Sequence, residues 1–154
     1  MSDLTLKPIH KFHANEASKQ TWNLAVVDRT PQEDEEMLTA AHAAAYHWRQ
    51  IGSAQHLARA TMLLAKVHAL LGLGSTAWMY AEEMKSFFLN EPKIPDWELA
   101  FTHAIHAHAA SAANQSEAHR ESYQLAKAAI KAITDSEDRA VVQATFDLVP
   151  QPEK

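Results

Sequence analysis

Apolar residues recur at helical spacing along most of the chain, and the polar residues between them mark where helices start and stop. The clearest start is Thr30-Pro31-Gln32-Glu33. It offers a threonine N-cap, a proline at the first helical position and a glutamate three residues after the cap. Met37, Ala41, Ala44, Trp48 and Ile51 line up behind it. Gly52-Ser53 ends that helix near Gln50 and opens another that runs to Leu71. Gly72-Leu73-Gly74-Ser75 repeats the stop and start, and a helix from Thr76 to about Leu89 follows. Pro92 and Pro95 stiffen a connector. The next helix begins at Pro95 or Asp96, runs to Ala113 and presents Trp97, Phe101, Ala104, Ile105 and Ala112 on one face. Asn114-Gln115-Ser116 forms a tight turn, with Ser116 as N-cap of a helix to about Ile133. Thr134-Asp135-Ser136 caps a last helix to about Val149. Upstream, Asn15 can cap a first helix carrying Trp22, Leu24 and Val26, whereas residues 1–14, with Pro8 among mixed charges, read as irregular. The pattern predicts seven helices and no strand. That is an all-α fold, a single domain over residues 15–149 with a short tail at 150–154, in which short connections make successive helices antiparallel.

A weak internal repeat supports a run of hairpins. Shifting the chain by 42 residues lays the third and fourth helices on the fifth and sixth: Leu57 falls on Leu99, Leu63 on Ile105, Ala65 on Ala107 and Gly72 on Asn114. Stacked helix pairs that share one continuous core produce this kind of self-similarity.

Composition narrows the function. A chain of 154 residues holds one domain with a proper core. The formal net charge is −5 and no basic stripe is present, which argues against nucleic acid as a partner. The absence of cysteine excludes disulfides, cysteine-ligated zinc and thiol nucleophiles. No apolar run approaches the roughly 20 residues of a membrane span, and the first residues lack the apolar stretch of a signal peptide. The expectation is a cytoplasmic protein with no membrane partner. Ten histidines make the net charge sensitive to pH near 6.

The stretch LLAKVHALLGLGSTAWMYAEEM resembles a tetratricopeptide (TPR) hairpin, with Ala65, His68, Gly72 and Ala77 at the small, aromatic, small and alanine positions. The helices are longer than in that repeat, the 42-residue spacing exceeds the usual ~34, and the closing proline is missing. AHAAAYHWRQIG, LARATMLLAKVHALLGL, DWELAFTHAIHAHA and DSEDRAVV are similar to a family of small bacterial TPR-like proteins, over roughly residues 30–145. The family has no assigned activity. The resemblance implies a right-handed stack of antiparallel hairpins with a concave surface for a protein or peptide.

The histidines are the candidate chemistry. His42 and His47 lie about 140° apart on a regular helix and cannot share a ligand. His42, Tyr46 and Arg49 follow one polar edge instead. They form either a patch for a carboxylate or peptide backbone, or an interhelical hydrogen-bond network. His103 and His106, three apart, share a face and read as a surface or groove-lining pair, while His108 points toward the core. A zinc site needs further ligands, for which His68 or His119 are the candidates. No HExxH, GxSxG or phosphate-loop motif is present. Trp78 either marks a partner surface or packs under the next helix. The expected function is noncatalytic binding of a protein or peptide through His42, Tyr46, Arg49, His103 and His106, with no catalytic residue, cofactor or metal. Two alternatives stand beside it: a histidine-ligated metal enzyme or sensor, and a structural homodimer formed through Trp78 or the terminal helix.

Overall fold

The computed structural model describes residues 3–154, with side chains from residue 6 onward. These residues form seven α-helices and no strand: α1 (Asp3–Ala25), α2 (Pro31–Ile51), α3 (Ala54–Leu70), α4 (Gly74–Leu89), α5 (Asp96–Ala112), α6 (Ser116–Lys131) and α7 (Ser136–Phe146).

The local signals act as their chemistry requires. Thr30 and Glu33 close a reciprocal capping box: Glu33 N–H donates to Thr30 Oγ1 at 3.2 Å and Thr30 N–H donates to Glu33 Oε1 at 3.1 Å. Gly52 then ends α2 in the left-handed region, at φ 84°. Asp135 caps α7 through Asp138 N–H at 2.9 Å. α6 differs from expectation: Ser116 is its first helical residue, and Gln115 holds the cap position without a side-chain bond.

α1 departs most from the sequence reading. It starts at Asp3 instead of Asn15, and Pro8 lies inside it. Pro8 is the sixth residue of the helix and forfeits the bond its N–H would have made to the Leu4 carbonyl, a cost that packing elsewhere along the helix has to outweigh. Ala14, Thr21 and Ala25 are fully buried along the face that meets α2, and this packing favours continuous helix. Residues 1–2 of the expected irregular segment lie outside the described residues.

The 42-residue repeat is structural. Gly72 and Asn114 both adopt positive φ, 73° and 60°. Around Gly72, Leu73 N–H donates to His68 O at 2.9 Å and Gly72 N–H to Ala69 O at 3.1 Å. Around Asn114, Gln115 N–H donates to Ala110 O at 2.8 Å and Asn114 N–H to Ser111 O at 3.2 Å. These are the same Schellman-type closures, offset by the repeat length. Gly74 follows its bend for a different reason: a Cβ there would collide with the carbonyl of Ala112, so α4 starts hard against the end of α5.

Each helix packs on its successor, and the odd helices also pack on one another: α1 on α3, α3 on α5, α5 on α7. No even helix packs on another even helix. The odd helices therefore form a continuous row, with the even helices nested over its junctions. α5 is covered nearly all round, from Glu98 to Ala110, and its alanines at 100, 104, 107, 109 and 110 permit that crowding. Two apolar clusters make the core, one centred on α3–α7 and one on α1–α3, and Trp22 and Tyr80 pack against both. No helix among the described residues is long and apolar enough to cross a membrane.

Candidate functional site

The five residues singled out by sequence do not form one surface. α2 packs on α1 and α3 and has no contact with α5, so His42, Tyr46 and Arg49 are remote from His103 and His106. The α2 stripe is exposed and lies on the even row, away from the odd-helix side. His42 meets the edge of His68 at 5.7 Å, and Tyr46 meets His47 at 5.2 Å. The surroundings of His42 are cationic: burial, then His68, then Arg49 lower its pKa. As helical geometry requires, His47 turns the other way, toward α1, where its Nδ1 lies 2.9 Å from His10 Nδ1.

His103 and His106 are buried, not groove-lining, because α5 is enclosed by its neighbours. His106 Nδ1 lies 2.6 Å from Ser122 Oγ, its Nε2 lies 3.2 Å from Glu82 Oε1, and Trp78 packs on the ring at 4.9 Å. Trp78 thus packs under its neighbour. Serine, histidine and carboxylate in sequence have the composition of a nucleophile relay. Their exposures are inverted, however: Ser122 is buried and Glu82 is open to water. A nucleophile must face its substrate, so this trio locks α4, α5 and α6 together. His68 and His119 are also committed, Nδ1–H of the first to Leu64 O and Nε2–H of the second to Pro150 O, each at 2.7 Å. Among the described residues no group of three or more histidines or carboxylates is arranged to hold a metal ion.

The concave feature lies on the other side. α1, α3, α5 and α7 enclose a half-open groove of about 620 Å³, to which α2 contributes Trp48. Trp22, Trp48, Trp97 and Phe101 form its walls. Trp22 and Trp97 each pack on Phe101, at 5.5 and 6.3 Å. His56 stacks flat on Trp48, 4.4 Å between centroids and 4° between planes. Trp48 is itself steered by a bond from Nε1 to Ser18 Oγ at 3.3 Å. Burial, Arg59 and Lys11 lower the His56 pKa, and its Nδ1 has no partner.

Charge enters the groove at two places. Arg59 grips Glu98 with two bonds, at 2.8 and 3.4 Å, and its guanidinium lies 5.5 Å above Trp97. Behind the wall, Lys66 is 1 % exposed. Its Nζ lies 4.8 Å over Trp22 and donates to Thr145 Oγ1 at 2.6 Å. Among the described residues no carboxylate is within ion-pairing distance of it. Burial, with Arg29 adding to it, pushes the Lys66 amine down to about 7.

Sequence reasoning overlooked this groove. Trp22, Trp48 and Trp97 were placed on apolar faces, but their convergence depends on four helices meeting. Arg59 and Glu98 are 39 residues apart, and no local pattern joins them. Lys66 alone carried a visible signal, as the one charged residue inside LLAKVHALL. No family model, no curated protein and no solved structure matches this chain.

Proposed function

We propose that this protein is a noncatalytic binding module of TPR-like design, and that its binding surface is the groove of the odd helices instead of the α2 stripe. One observation carries the reading: three of the four tryptophans, from three different helices, converge with Phe101 on a single cleft that has few but well-defined polar groups. Clefts of roughly 300–1,000 Å³ with apolar walls and sparse polar groups are the usual form of ligand sites. The packing of odd helix on odd helix supports the TPR-like description, because it puts one row of helices on the inside of the stack. The occupant is a compact apolar group, either a small molecule or the anchoring side chains of a peptide.

The fourth tryptophan provides an internal control. Trp78 packs on His106, outside the groove. Proton–nitrogen NMR of the four indole N–H groups, during a screen of apolar fragments such as indole and phenylbutanol, tests the reading. Signals of Trp22, Trp48 and Trp97 should move while that of Trp78 stays. Probes that move all four alike, or none, contradict it. A Tyr46→Ala, Arg49→Ala double variant should bind the same fragments unchanged.

A further inference from the structure

The way Thr145 spends its hydroxyl points to the chemistry of the occupant. Three other helical threonines, Thr21, Thr61 and Thr102, donate back to the carbonyl four residues earlier, at 2.7 to 3.0 Å. Thr145 makes no such bond to Val141. Its oxygen accepts from Lys66 Nζ, which leaves its proton available, and the residue lines the groove. A hydroxyl that accepts from an amine on one side can donate to an anion on the other.

The charges around it select the sign. Glu98, the only carboxylate lining the groove among the described residues, is engaged by Arg59. Arg29 is the charged group that acts on Lys66, and Lys66 has no acid partner among the described residues. A buried amine without a counter-ion gains most from an anion brought to it.

Resting on the groove reading above, we propose that the Thr145 hydroxyl, backed by Lys66 Nζ, anchors the carboxylate of a small apolar acid. The acid is an aryl or alkyl carboxylate whose hydrocarbon body lies between Trp22, Trp48, Trp97 and Phe101. A free acid fits better than a peptide terminus. Thr145 is only 3 % exposed, and a peptide would have to bring its own amide groups past apolar walls, where they would lack partners.

The test measures binding of 4-phenylbutyrate, 4-phenylbutyramide and N-acetyl-Ala-Ala-Phe free acid at pH 7, by calorimetry or tryptophan quenching. The proteins are wild type, Thr145→Val and Lys66→Met. Thr145→Val keeps the side-chain shape and removes only the hydroxyl, so it decides the matter if Lys66→Met perturbs the fold. Wild type should bind the acid at least about tenfold more tightly than its amide, the worth of one charge-assisted bond. Both variants should erase that preference and leave amide binding within about threefold. Equal binding of acid and amide by wild type, or a preference that survives both substitutions, overturns the carboxylate anchor and leaves the groove reading intact. Tighter binding of the peptide than of phenylbutyrate overturns the small-acid assignment. If neither phenylbutyrate nor its amide binds, the groove reading fails as well.

Discussion

Replacing Lys66 with methionine should make the protein more stable, by an amount that depends on pH in a way only a buried amine produces. Lysine titrates at 10.5 when solvated and at about 7 in this fold. A shift of one unit is worth 1.36 kcal/mol, so holding this amine in the fold at pH 7 costs about 4 kcal/mol. Methionine matches the length and removes the amine. The substitution also gives up the bond to Thr145 and the cation–π contact with Trp22, together about 2 kcal/mol. The net gain at pH 7 is about 2 kcal/mol, which for a chain of this size is a rise of roughly 4–8 °C in Tm. The sign with pH follows from linkage. The folded pKa lies below the unfolded one, so the unfolded chain binds more protons between 7 and 10.5. Wild type therefore gains stability as pH rises through that window, and the penalty is greatest below 7. The advantage of Lys66→Met should be largest at pH 6, shrink steadily and vanish near pH 9. Urea unfolding followed by circular dichroism at pH 6, 7, 8 and 9 measures it. A variant that is less stable than wild type at pH 6, by an amount independent of pH, would refute the reasoning.

Three further perturbations probe neighbouring parts of the argument. Arg59→Met leaves Glu98, 1 % exposed, buried without its cation, and should cost about 3 kcal/mol in urea; a loss under about 1 kcal/mol contradicts the pairing. Burial, helped by Lys66 and His119, lowers His108 to about 4 from 6.5, so its contribution is complete above pH 6.5 and is lost as pH falls toward 4. His108→Gln should remove about 3 kcal/mol of that acid-side loss, which thermal melts from pH 7 to 4.5 would register as a flatter decline. The two bend glycines should respond differently. Gly72→Ala meets open space at φ 73° and should cost about 1 kcal/mol, whereas Gly74→Ala drives a methyl into the Ala112 carbonyl and should cost more than about 2 kcal/mol. Equal losses would mean that α4 and α5 can separate at that point.

The fold was legible because its signals are local. The Thr30–Glu33 capping box, the Gly52 stop, the Pro92–Pro95 connector and the Asp135 cap act within a few residues, and six of the seven helices begin within two residues of their expected starts. α1 was misread because a proline in the first turns was given more weight than the small-residue face at Ala14, Thr21 and Ala25, whose value depends on α2. The candidate site was not legible for the same reason. Helical periodicity shows which residues share a face but not which faces meet, so His103 and His106 read as a polar pair until packing of α5 against α4 and α6 buried them. The repeat, though, already held the correction for α2. If the third helix is equivalent to the fifth, the first belongs with them and the second with the fourth and sixth. His42, Tyr46 and Arg49 then fall on the outer row by arithmetic alone.

The histidines drew attention by their number, but the polar groups with capacity left over are elsewhere. His106, Ser122 and Glu82 bond one another in series, and a network of that kind specifies how three helices meet. His68 and His119 are likewise committed to carbonyls. His103 Nδ1 is unpartnered, but it lies inside the α5 packing and the groove does not reach it. At the groove the balance differs. His56, a wall residue, has a buried Nδ1 without a partner, and Thr145 keeps a proton to donate. Lys66 stays charged near neutrality only at a cost that an incoming anion would offset. Hydrogen-bonding capacity held in reserve beside an apolar cleft, at the expense of stability, distinguishes these residues from the better-satisfied histidines. It is also why binding at the groove and stability of the empty protein should move in opposite directions when Lys66 is replaced.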